Sequence, residues 1–224
     1  MNIRACLFDL DDTLIDRESA YTNVYKDYYY QEEVIRNSLD LNEAIDYFWS
    51  LSPNNTAVPI DSFKQIKARW PEVKGDERDH YKFYFESTIK HMKILPGVME
   101  FIDWINDSEY NWGVVTNGNS YQYKKVEITG LTDKIPFVLP SKIYAKDKPD
   151  SEIYLIAKKK LGLENIKNEE ILFVGDNAYT DILGANRLGM STAWIKMGRS
   201  YPKELPIPDF QIEHVNELIN ILKK

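Results

Sequence analysis

The sequence has little cysteine, no long apolar run and no excess of positive charge. Cys6 is its single cysteine in 224 residues, which excludes an intrachain disulfide framework and a zinc site built from cysteines. No apolar run approaches the roughly 20 residues that a membrane span needs. Lysine and arginine number 28 against 35 aspartates and glutamates, so the net charge is −7 and a broad surface for nucleic acid is not expected. The first residues lack the basic and apolar regions of a signal peptide, and we expect a cytoplasmic protein.

Short apolar runs alternate with helical patterns along most of the chain. The hydrophobic share of 43% and the charged share of 28% are those of a globular protein with a sizeable core. The apolar runs span residues 3–8, 112–116, 136–139, 171–175 and 192–196, and the helical patterns span 98–106, 151–161, 178–188 and 215–222. This alternation predicts βαβ units and a parallel sheet, which is a Rossmann-like α/β core. In such sheets, ligands bind beyond the carboxyl ends of the strands.

Residues 16–93 follow a different pattern. Their periodicity indicates helices at about 17–37, 41–51, 60–70 and 78–92, and no buried strand is convincing there. Aromatic residues are concentrated in this stretch, as in Tyr28-Tyr29-Tyr30. The aromatic core of a small helical bundle explains most of them, and contact with a ligand stays open for some.

Three carboxylates follow the first apolar run, in Asp9-Leu10-Asp11-Asp12-Thr13. Such carboxylates repel one another unless a cation or water lies among them. A pair two residues apart at a strand end can serve one reacting centre, because one carboxylate can attack while the other moves a proton. An acidic turn without chemistry is the alternative for this segment alone.

Two later segments carry groups that suit an anion. Thr116 ends the run at 112–116 and Asn117 follows it, so a hydroxyl and the backbone N–H groups after it can donate to an anion. Lys148 precedes Pro149 and can present a fixed positive charge, with Lys146 as a rival for that role. A solvated loop lysine is the simpler alternative for either position.

A further pair of carboxylates follows the run at 171–175. Asp176 lies at its carboxyl end, and Asp181 falls in the first turn of the next predicted helix. Two carboxylates in this arrangement suit Mg²⁺, which prefers oxygen ligands. A favourable interaction with the helix dipole explains Asp181 equally well, but it does not explain Asp176.

Taken in this order, the four segments resemble the magnesium-dependent phosphatases of the haloacid dehalogenase superfamily. That family carries DxDxT after the first strand, Thr or Ser at the second, Lys at the third and GDxxxxD at the fourth. The corresponding residues here are Asp9-Leu10-Asp11-Asp12-Thr13, Thr116, Lys148 and Gly175-Asp176 with Asp181. The resemblance covers residues 1–15 and 94–220. The departures are Asp12 in place of a common glycine, Asn177 in place of serine, Ser151 in place of a second proline, and Tyr144-Ala145 in place of valine or glycine.

The resemblance implies an enzyme, a phosphoric monoester hydrolase that forms an aspartyl-phosphate. The catalytic residues would be Asp9 as nucleophile, Asp11 as general acid and base, and Lys148 as the neutralising cation. Phosphate would be bound by Thr116, Asn117 and Lys148. The implied cofactor is Mg²⁺, held by Asp9, the main-chain carbonyl of Asp11, and Asp176, with Asp181 and Thr13 in supporting roles.

The spacing of the motifs places an insertion. Asp9 and Thr116 are 107 residues apart, whereas Thr116 and Lys148 are only 32 apart. The family inserts a substrate-selecting cap in one gap or the other, so the resemblance implies a catalytic core at 1–15 and 94–224 and a helical cap at 16–93. Within this cap, Arg17 and Tyr21 are the candidates for substrate selection.

Alternatives to a phosphatase remain at this point. A phosphomutase would use the same residues. A dehalogenase of this superfamily lacks an acid/base aspartate two residues after the nucleophile, so Asp11 argues against it. A non-catalytic binding protein is disfavoured by the intact motif residues. The expected partner is a small phosphorylated metabolite, either a nucleotide or a sugar phosphate, with neither a nucleic acid nor a membrane.

Overall fold

The protein is described here from a computed structural model that covers residues 2–51 and 59–223. The chain forms two compact units, one comprising Met1–Asp16 with Lys93–Lys224 and the other comprising Arg17–Met92. The boundaries expected from the sequence differ from these by one residue at each junction. The assignment of the smaller unit as a substrate-selecting cap stays a prediction.

The larger unit is built on one six-stranded parallel sheet in the order β3-β2-β1-β4-β5-β6. The strands are β1 (Ala5–Phe8), β2 (Asn111–Thr116), β3 (Val138–Pro140), β4 (Ile171–Gly175), β5 (Ser191–Ile195) and β6 (Phe210–Ile212). In the centre of the sheet, Leu7 of β1 lies opposite Gly113 of β2 and Phe173 of β4. This topology confirms the predicted Rossmann-like α/β core.

Burial explains why these segments are strands. Every residue of β1, β4 and β5 is buried, as expected for parallel strands covered on both faces. Helices of this unit are α6 (Val98–Asn106), α7 (Tyr121–Ile128), α8 (Ser141–Tyr144), α9 (Ser151–Lys160), α10 (Leu183–Arg187) and α11 (Leu218–Leu222). Helix α6 buries Val98, Phe101, Ile102 and Ile105, which recur at helical spacing on one face.

The strand order places the site. The chain runs from β1 outward to β2 on one side and to β4 on the other, so the order reverses at β1. The crevice beyond the carboxyl ends of strands at such a reversal is where open α/β sheets bind ligands. Asp9, Asn117 and Asp176 directly follow β1, β2 and β4 at this edge.

The described residues of the smaller unit form helices joined by turns and loops. Its helices are α1 (Arg17–Gln31), α2 (Glu33–Arg36), α3 (Leu41–Ser50), α4 (Pro59–Arg69) and α5 (Glu77–His91). Aromatic and aliphatic side chains fill its core, among them Tyr28, Phe48 and Trp70. Asp40 and Asp76 each accept two backbone N–H bonds at a helix start, which stabilises α3 and α5. The described residues contain no helix long and apolar enough to cross a membrane.

Several predicted elements differ from the observed ones. The predicted helix at 17–37 is divided at Glu32, which has extended backbone angles. The helix predicted at 178–188 begins with a π-helical segment, Ala178–Ile182, and the one predicted at 215–222 begins with a 3₁₀ segment, Val215–Glu217. Helix α7 has no predicted counterpart, because polar residues occupy part of its buried face and break the apolar period.

Candidate active site

A buried lysine joins two carboxylates at the carboxyl edge of the sheet. The Lys148 Nζ lies 2.5 Å from Asp9 Oδ1 and 2.8 Å from Asp181 Oδ1. It also donates to the carbonyl of Val115 at 2.8 Å. The Lys148 residue is only 3% exposed, so this charge is held almost entirely by its protein partners. The structure thus brings together three residues that the sequence analysis selected from three separate segments.

The side chain of Asn117 is hydrogen-bonded to the backbone of Lys148. The Lys148 backbone N–H donates to Asn117 Oδ1 at 2.7 Å, and Asn117 Nδ2 donates to the Lys148 carbonyl at 3.1 Å. Asn117 was predicted to bind phosphate, and that role stays a prediction. Lys146, the rival, is 77% exposed in its side chain and lies 3.8 Å from Asp150. Lys148, and not Lys146, therefore contacts Asp9.

A glycine at the end of β4 makes room for Asp181. A Cβ added to Gly175 would overlap the Asp181 carboxylate, so a side chain at position 175 would displace Asp181. Asp181 Oδ2 accepts the Asn177 backbone N–H at 3.0 Å. Asn177 also caps the segment that follows, because its side chain accepts from the Tyr179 and Thr180 N–H groups. The Gly-Asp-Asn sequence thus fixes Asp181 under the strand end.

The loop after β1 is tightly closed on itself. The Asp12 N–H donates to the Ile15 carbonyl at 2.7 Å, and the Leu14 N–H donates to the Leu10 carbonyl at 2.9 Å. Asp12 has φ of 58°, in the left-handed region where glycine is favoured and aspartate is tolerated. Thr13 is buried, and its hydroxyl has no hydrogen-bond partner within the described residues. Its supporting role stays a prediction.

Three carboxylates converge at one point of this edge. Asp9, Asp176 and Asp181 each offer a carboxylate oxygen within 4.8 Å of the others. Among the described residues, this is the group of predicted site residues that could hold a metal ion. A set of carboxylate oxygens fits a hard divalent cation such as Mg²⁺. The Asp11 carboxylate is not a member of this cluster. Its predicted contribution through the main-chain carbonyl stays a prediction.

Burial and mutual repulsion shift the titration of these groups. Burial raises the pKa of Asp9 well above its ordinary value, and Asp181 and Asp176 add to this effect while Lys148 opposes it. Burial, reinforced by Asp181, raises the pKa of Asp176 to about 7, although the hydrogen bond from Arg199 works against the shift. Burial lowers the pKa of Lys148, but the Asp181 and Asp9 charges outweigh burial and raise it overall. The site is short of positive charge, which favours a cation.

Two contacts of Asp176 were missed by the sequence analysis. Arg199 Nη2 lies 2.8 Å from Asp176 Oδ2, and Trp194 Nε1 donates to the Asp176 carbonyl at 2.7 Å. Arg199 lies in the loop after β5, and nothing in its local sequence distinguishes it from a solvated arginine.

The Asp11 carboxylate is held by two residues of α7 that were also missed. Lys125 Nζ lies 2.7 Å from Asp11 Oδ1 and 2.6 Å from Oδ2. Gln122 Nε2 donates to Asp11 Oδ2 at 3.0 Å and to Thr116 Oγ1 at 2.5 Å. The signal in the sequence is their spacing of three, which puts both on one face of a helix.

The predicted substrate-selecting residues lie in the other unit. Arg17 begins α1, and its guanidinium carbon lies 6.0 Å from the centre of the Tyr21 ring. This places the two side chains side by side on one helix. Their role in selecting a substrate stays a prediction.

The chain resembles known proteins in sequence and in fold. The family model of haloacid dehalogenase-like hydrolases matches residues 3–189. The glyceraldehyde 3-phosphate phosphatase of Pyrococcus furiosus is 27% identical, over 99% of this chain and 94% of that protein. A magnesium-bound structure of the HAD-hydrolase YfnB from Bacillus subtilis superimposes with a TM-score of 0.78 at 21% identity, over 100% of both chains. An L-2-haloacid dehalogenase from Xanthobacter autotrophicus gives a TM-score of 0.69 at 17% identity, over 99% of this chain and 98% of that one. At these identities the two solved structures show a common fold alone.

Proposed function

The chain belongs to the haloacid dehalogenase-like hydrolases, and on that basis we propose that it is a Mg²⁺-dependent phosphatase acting on a small phosphomonoester. The observation that carries the proposal is the contact of Asp9 with Lys148 beside Asp176 and Asp181. This arrangement presents a carboxylate nucleophile, a fixed cation and a carboxylate cluster for a metal at one strand edge. The Pyrococcus furiosus relative, named as a phosphatase, supports this reaction class.

In the proposed first step, a carboxylate oxygen of Asp9 forms a bond to phosphorus while the bond from phosphorus to the leaving oxygen breaks. Asp11 enters this step protonated and gives its proton to that leaving oxygen, which departs as an alcohol. Lys148 holds Asp9 in place and offsets negative charge during the approach of the phosphoryl group. Thr116 and the neighbouring N–H groups donate to the phosphoryl oxygens, where transition-state charge is spread.

In the second step, a water molecule attacks phosphorus and the bond from phosphorus to Asp9 breaks. Asp11 accepts the proton of the attacking water, which returns it to its starting state. The products are an alcohol and inorganic phosphate, and the enzyme is regenerated. Two moderate barriers thus replace a single high one, as in other covalent mechanisms.

Mg²⁺ fits the carboxylate cluster. The residues that would hold it are Asp9, Asp176 and the main-chain carbonyl of Asp11. When bound, the cation supplies positive charge that allows a phosphate dianion to approach several carboxylates. Asp181, in contact with Lys148, would serve by keeping that lysine in place.

Asp11 separates a phosphatase from a dehalogenase. Departure of an alkoxide from a phosphomonoester needs a proton donor, whereas departure of a halide does not. The fold shared with the Xanthobacter autotrophicus dehalogenase does not decide between the two. A carboxylate held by Lys125 and Gln122 near the strand edge is the feature that favours phosphate chemistry.

The substrate is proposed to be a small phosphorylated metabolite, with a sugar phosphate or a nucleotide as the classes to test first. Arg17 and Tyr21 are proposed to contribute to its selection.

The test is release of inorganic phosphate from nucleoside monophosphates, sugar phosphates and para-nitrophenyl phosphate, with and without Mg²⁺. Asp103→Asn, at a side chain 60% exposed in the same unit, is the matched control for Asp9→Asn. Release that needs Mg²⁺ and Asp9, but not Asp103, supports the proposal; no release from any substrate contradicts it.

A further inference from the structure

The carboxylate proposed to move the proton lies against a buried lysine. Lys125 Nζ contacts both oxygens of Asp11, at 2.7 and 2.6 Å. The Lys125 side chain is 4% exposed and that of Asp11 is 18% exposed. These contacts restrain the Asp11 carboxylate against helix α7.

One turn earlier on the same helix, Gln122 contacts both Asp11 and Thr116. Its Nε2 donates to Asp11 Oδ2 at 3.0 Å and to Thr116 Oγ1 at 2.5 Å. Gln122 is 4% exposed. A single amide group therefore links the residue proposed to move the proton with the residue proposed to bind phosphate. Helix α7 delivers both contacts because residues three apart share a face.

The Gln122 contact also orients the Thr116 hydroxyl. A hydroxyl has one hydrogen to donate and two lone pairs that accept. Because Thr116 Oγ1 accepts from Gln122, its own hydrogen is directed away from that amide. The hydroxyl donates only a long hydrogen bond, 3.5 Å to the Asn117 carbonyl, so it can donate instead to a stronger acceptor such as a phosphoryl oxygen.

Fold stability does not by itself require this arrangement. Burying an ion pair costs desolvation energy, and apolar side chains of similar volume often serve packing equally well. Apolar residues at both positions 11 and 125 would fill the same space without a buried charge. The contacts of Lys125 and Gln122 with Asp11 and Thr116 explain why a lysine and a glutamine lie on the buried face of α7.

We propose that Lys125 and Gln122 are positioning residues for phosphoryl transfer: Lys125 fixes the Asp11 carboxylate, and Gln122 orients the Thr116 hydroxyl. This inference rests on the proposed phosphatase function and adds residues to it. Lys125 acts on the step in which the leaving group takes a proton. Gln122 acts on binding of the phosphoryl group.

The test for Lys125 compares kcat/KM for two substrates with the same phosphoryl group, para-nitrophenyl phosphate and an alkyl phosphate. The value of kcat/KM reports on the steps up to loss of the leaving group. Loss of an alkoxide depends strongly on a proton donor, whereas loss of para-nitrophenolate does not. Lys125→Met should lower kcat/KM for the alkyl phosphate by about 10- to 100-fold and that for para-nitrophenyl phosphate far less. Lys125→Arg should restore part of the loss. Lys124→Met is the matched control, since Lys124 pairs with Glu127 at the surface.

The test for Gln122 measures competitive inhibition by inorganic phosphate. Gln122→Met should weaken phosphate binding by about 10-fold, the size expected when a hydrogen bond to a charged group is misaligned. The alkyl to para-nitrophenyl ratio should change less than in Lys125→Met. Urea unfolding of each variant separates these effects from loss of structure.

Four results are decisive. Equal loss on both substrates in Lys125→Met, or no loss in a folded variant, overturns the role of Lys125 while leaving the phosphatase intact. Unchanged phosphate inhibition in folded Gln122→Met overturns the role of Gln122. A wild-type protein that releases no phosphate from either substrate overturns the proposed function and this inference together.

Discussion

Lys148 Nζ lies 2.5 Å from the Asp9 carboxylate, although 139 positions separate the two residues in the chain. Both side chains are buried, and Asp181 shares the same ammonium group at 2.8 Å. An ion pair of this kind is costly to break, because removing one partner leaves the other charge buried and uncompensated. The contact therefore links the stability of the larger unit to the proposed nucleophile.

Removal of the lysine should expose this link. Lys148→Met should lower the free energy of unfolding by about 3–5 kcal/mol in Mg²⁺-free buffer, since Asp9 and Asp181 lose their shared cation. Added Mg²⁺ should recover part of that loss, because it neutralises the same carboxylates. Phosphatase activity should fall below detection.

Urea unfolding with and without Mg²⁺ measures the effect. Lys146→Met is the matched control, because Lys146 is exposed and sits two residues away. Equal stability of the two variants would show that the Lys148 contacts do not hold the site together.

Mg²⁺ affinity should depend on pH through Asp176. Its pKa, raised by burial and by Asp181 to about 7, favours the protonated form in the folded protein. The contribution of Asp176 to the stability of the Mg²⁺-free protein should therefore be most favourable below the unfolded pKa of about 4, and it should be lost as the pH rises towards about 7. Because the ligands must be ionised, Mg²⁺ should bind more tightly across the same range and release protons.

Titration calorimetry near pH 6 in two buffers of different ionisation enthalpy detects that release. Asp176→Asn should reduce proton release, and Asp103→Asn should preserve it. An affinity for Mg²⁺ that stays flat between about pH 5.5 and 7.5 would contradict the raised pKa.

Asp11 should matter for proton transfer and not for metal binding through its side chain. Asp11→Asn should lower kcat by about 10²–10⁴-fold, the usual contribution of a general acid or base. Its Mg²⁺ affinity should stay close to that of the wild type, because the carboxylate faces Lys125 and lies outside the metal cluster. Steady-state kinetics together with calorimetry separate the two. A large loss of Mg²⁺ affinity with little loss of turnover would reverse the assignment.

The smaller unit contains a separate charge cluster that should affect stability alone. Asp27 Oδ2 on α1 accepts from Ser87 at 2.9 Å, and it lies 3.1 Å from Lys90 and 2.8 Å from His91, all on α5. Burial opposes ionisation of Asp27, but hydrogen bonds from His91, Lys90 and Ser87 outweigh it and lower its pKa. A lowered folded pKa gives stability that is present above the unfolded value of about 4 and lost as the pH falls through the folded value.

Asp27→Asn should therefore cost about 1 kcal/mol at neutral pH, a figure kept small because the side chain is 29% exposed. The difference from wild type should shrink below about pH 4. Urea unfolding at neutral and acid pH measures it, with Asp46→Asn on the exposed face of α3 as the control. A difference that grows on acidification would contradict the lowered pKa.

Much of the sheet and the site follows from local sequence. Asp9, Thr116 and Asp176 come at the ends of buried apolar runs, and the carboxyl ends of parallel strands meet at one edge. The position of each of these residues at the carboxyl edge of the sheet could therefore be predicted from its own segment of the sequence. The left-handed backbone of Asp12 has a sequence signal too, since it occupies a position where glycine is common in the family it resembles.

The remaining residues could not be placed because their surroundings are tertiary. Gln122 and Lys125 look like part of a solvated helix face until α7 packs them beneath Asp11. Arg199 reaches Asp176 from a loop 23 positions away, where no periodicity operates. The π-helical segment Ala178–Ile182 could not be placed either, because five residues are too few for its period to be distinguished from that of an α-helix.

The central claim is that Asp9 becomes covalently phosphorylated during turnover. The most direct measurement is rapid acid quenching of the enzyme with Mg²⁺ and its preferred substrate carrying radiolabelled phosphorus, followed by peptide mapping. The account predicts label on the peptide that contains Asp9 in the wild type, and none in Asp9→Asn. Label on another residue, or phosphate release by Asp9→Asn at the rate of the wild type, would contradict it.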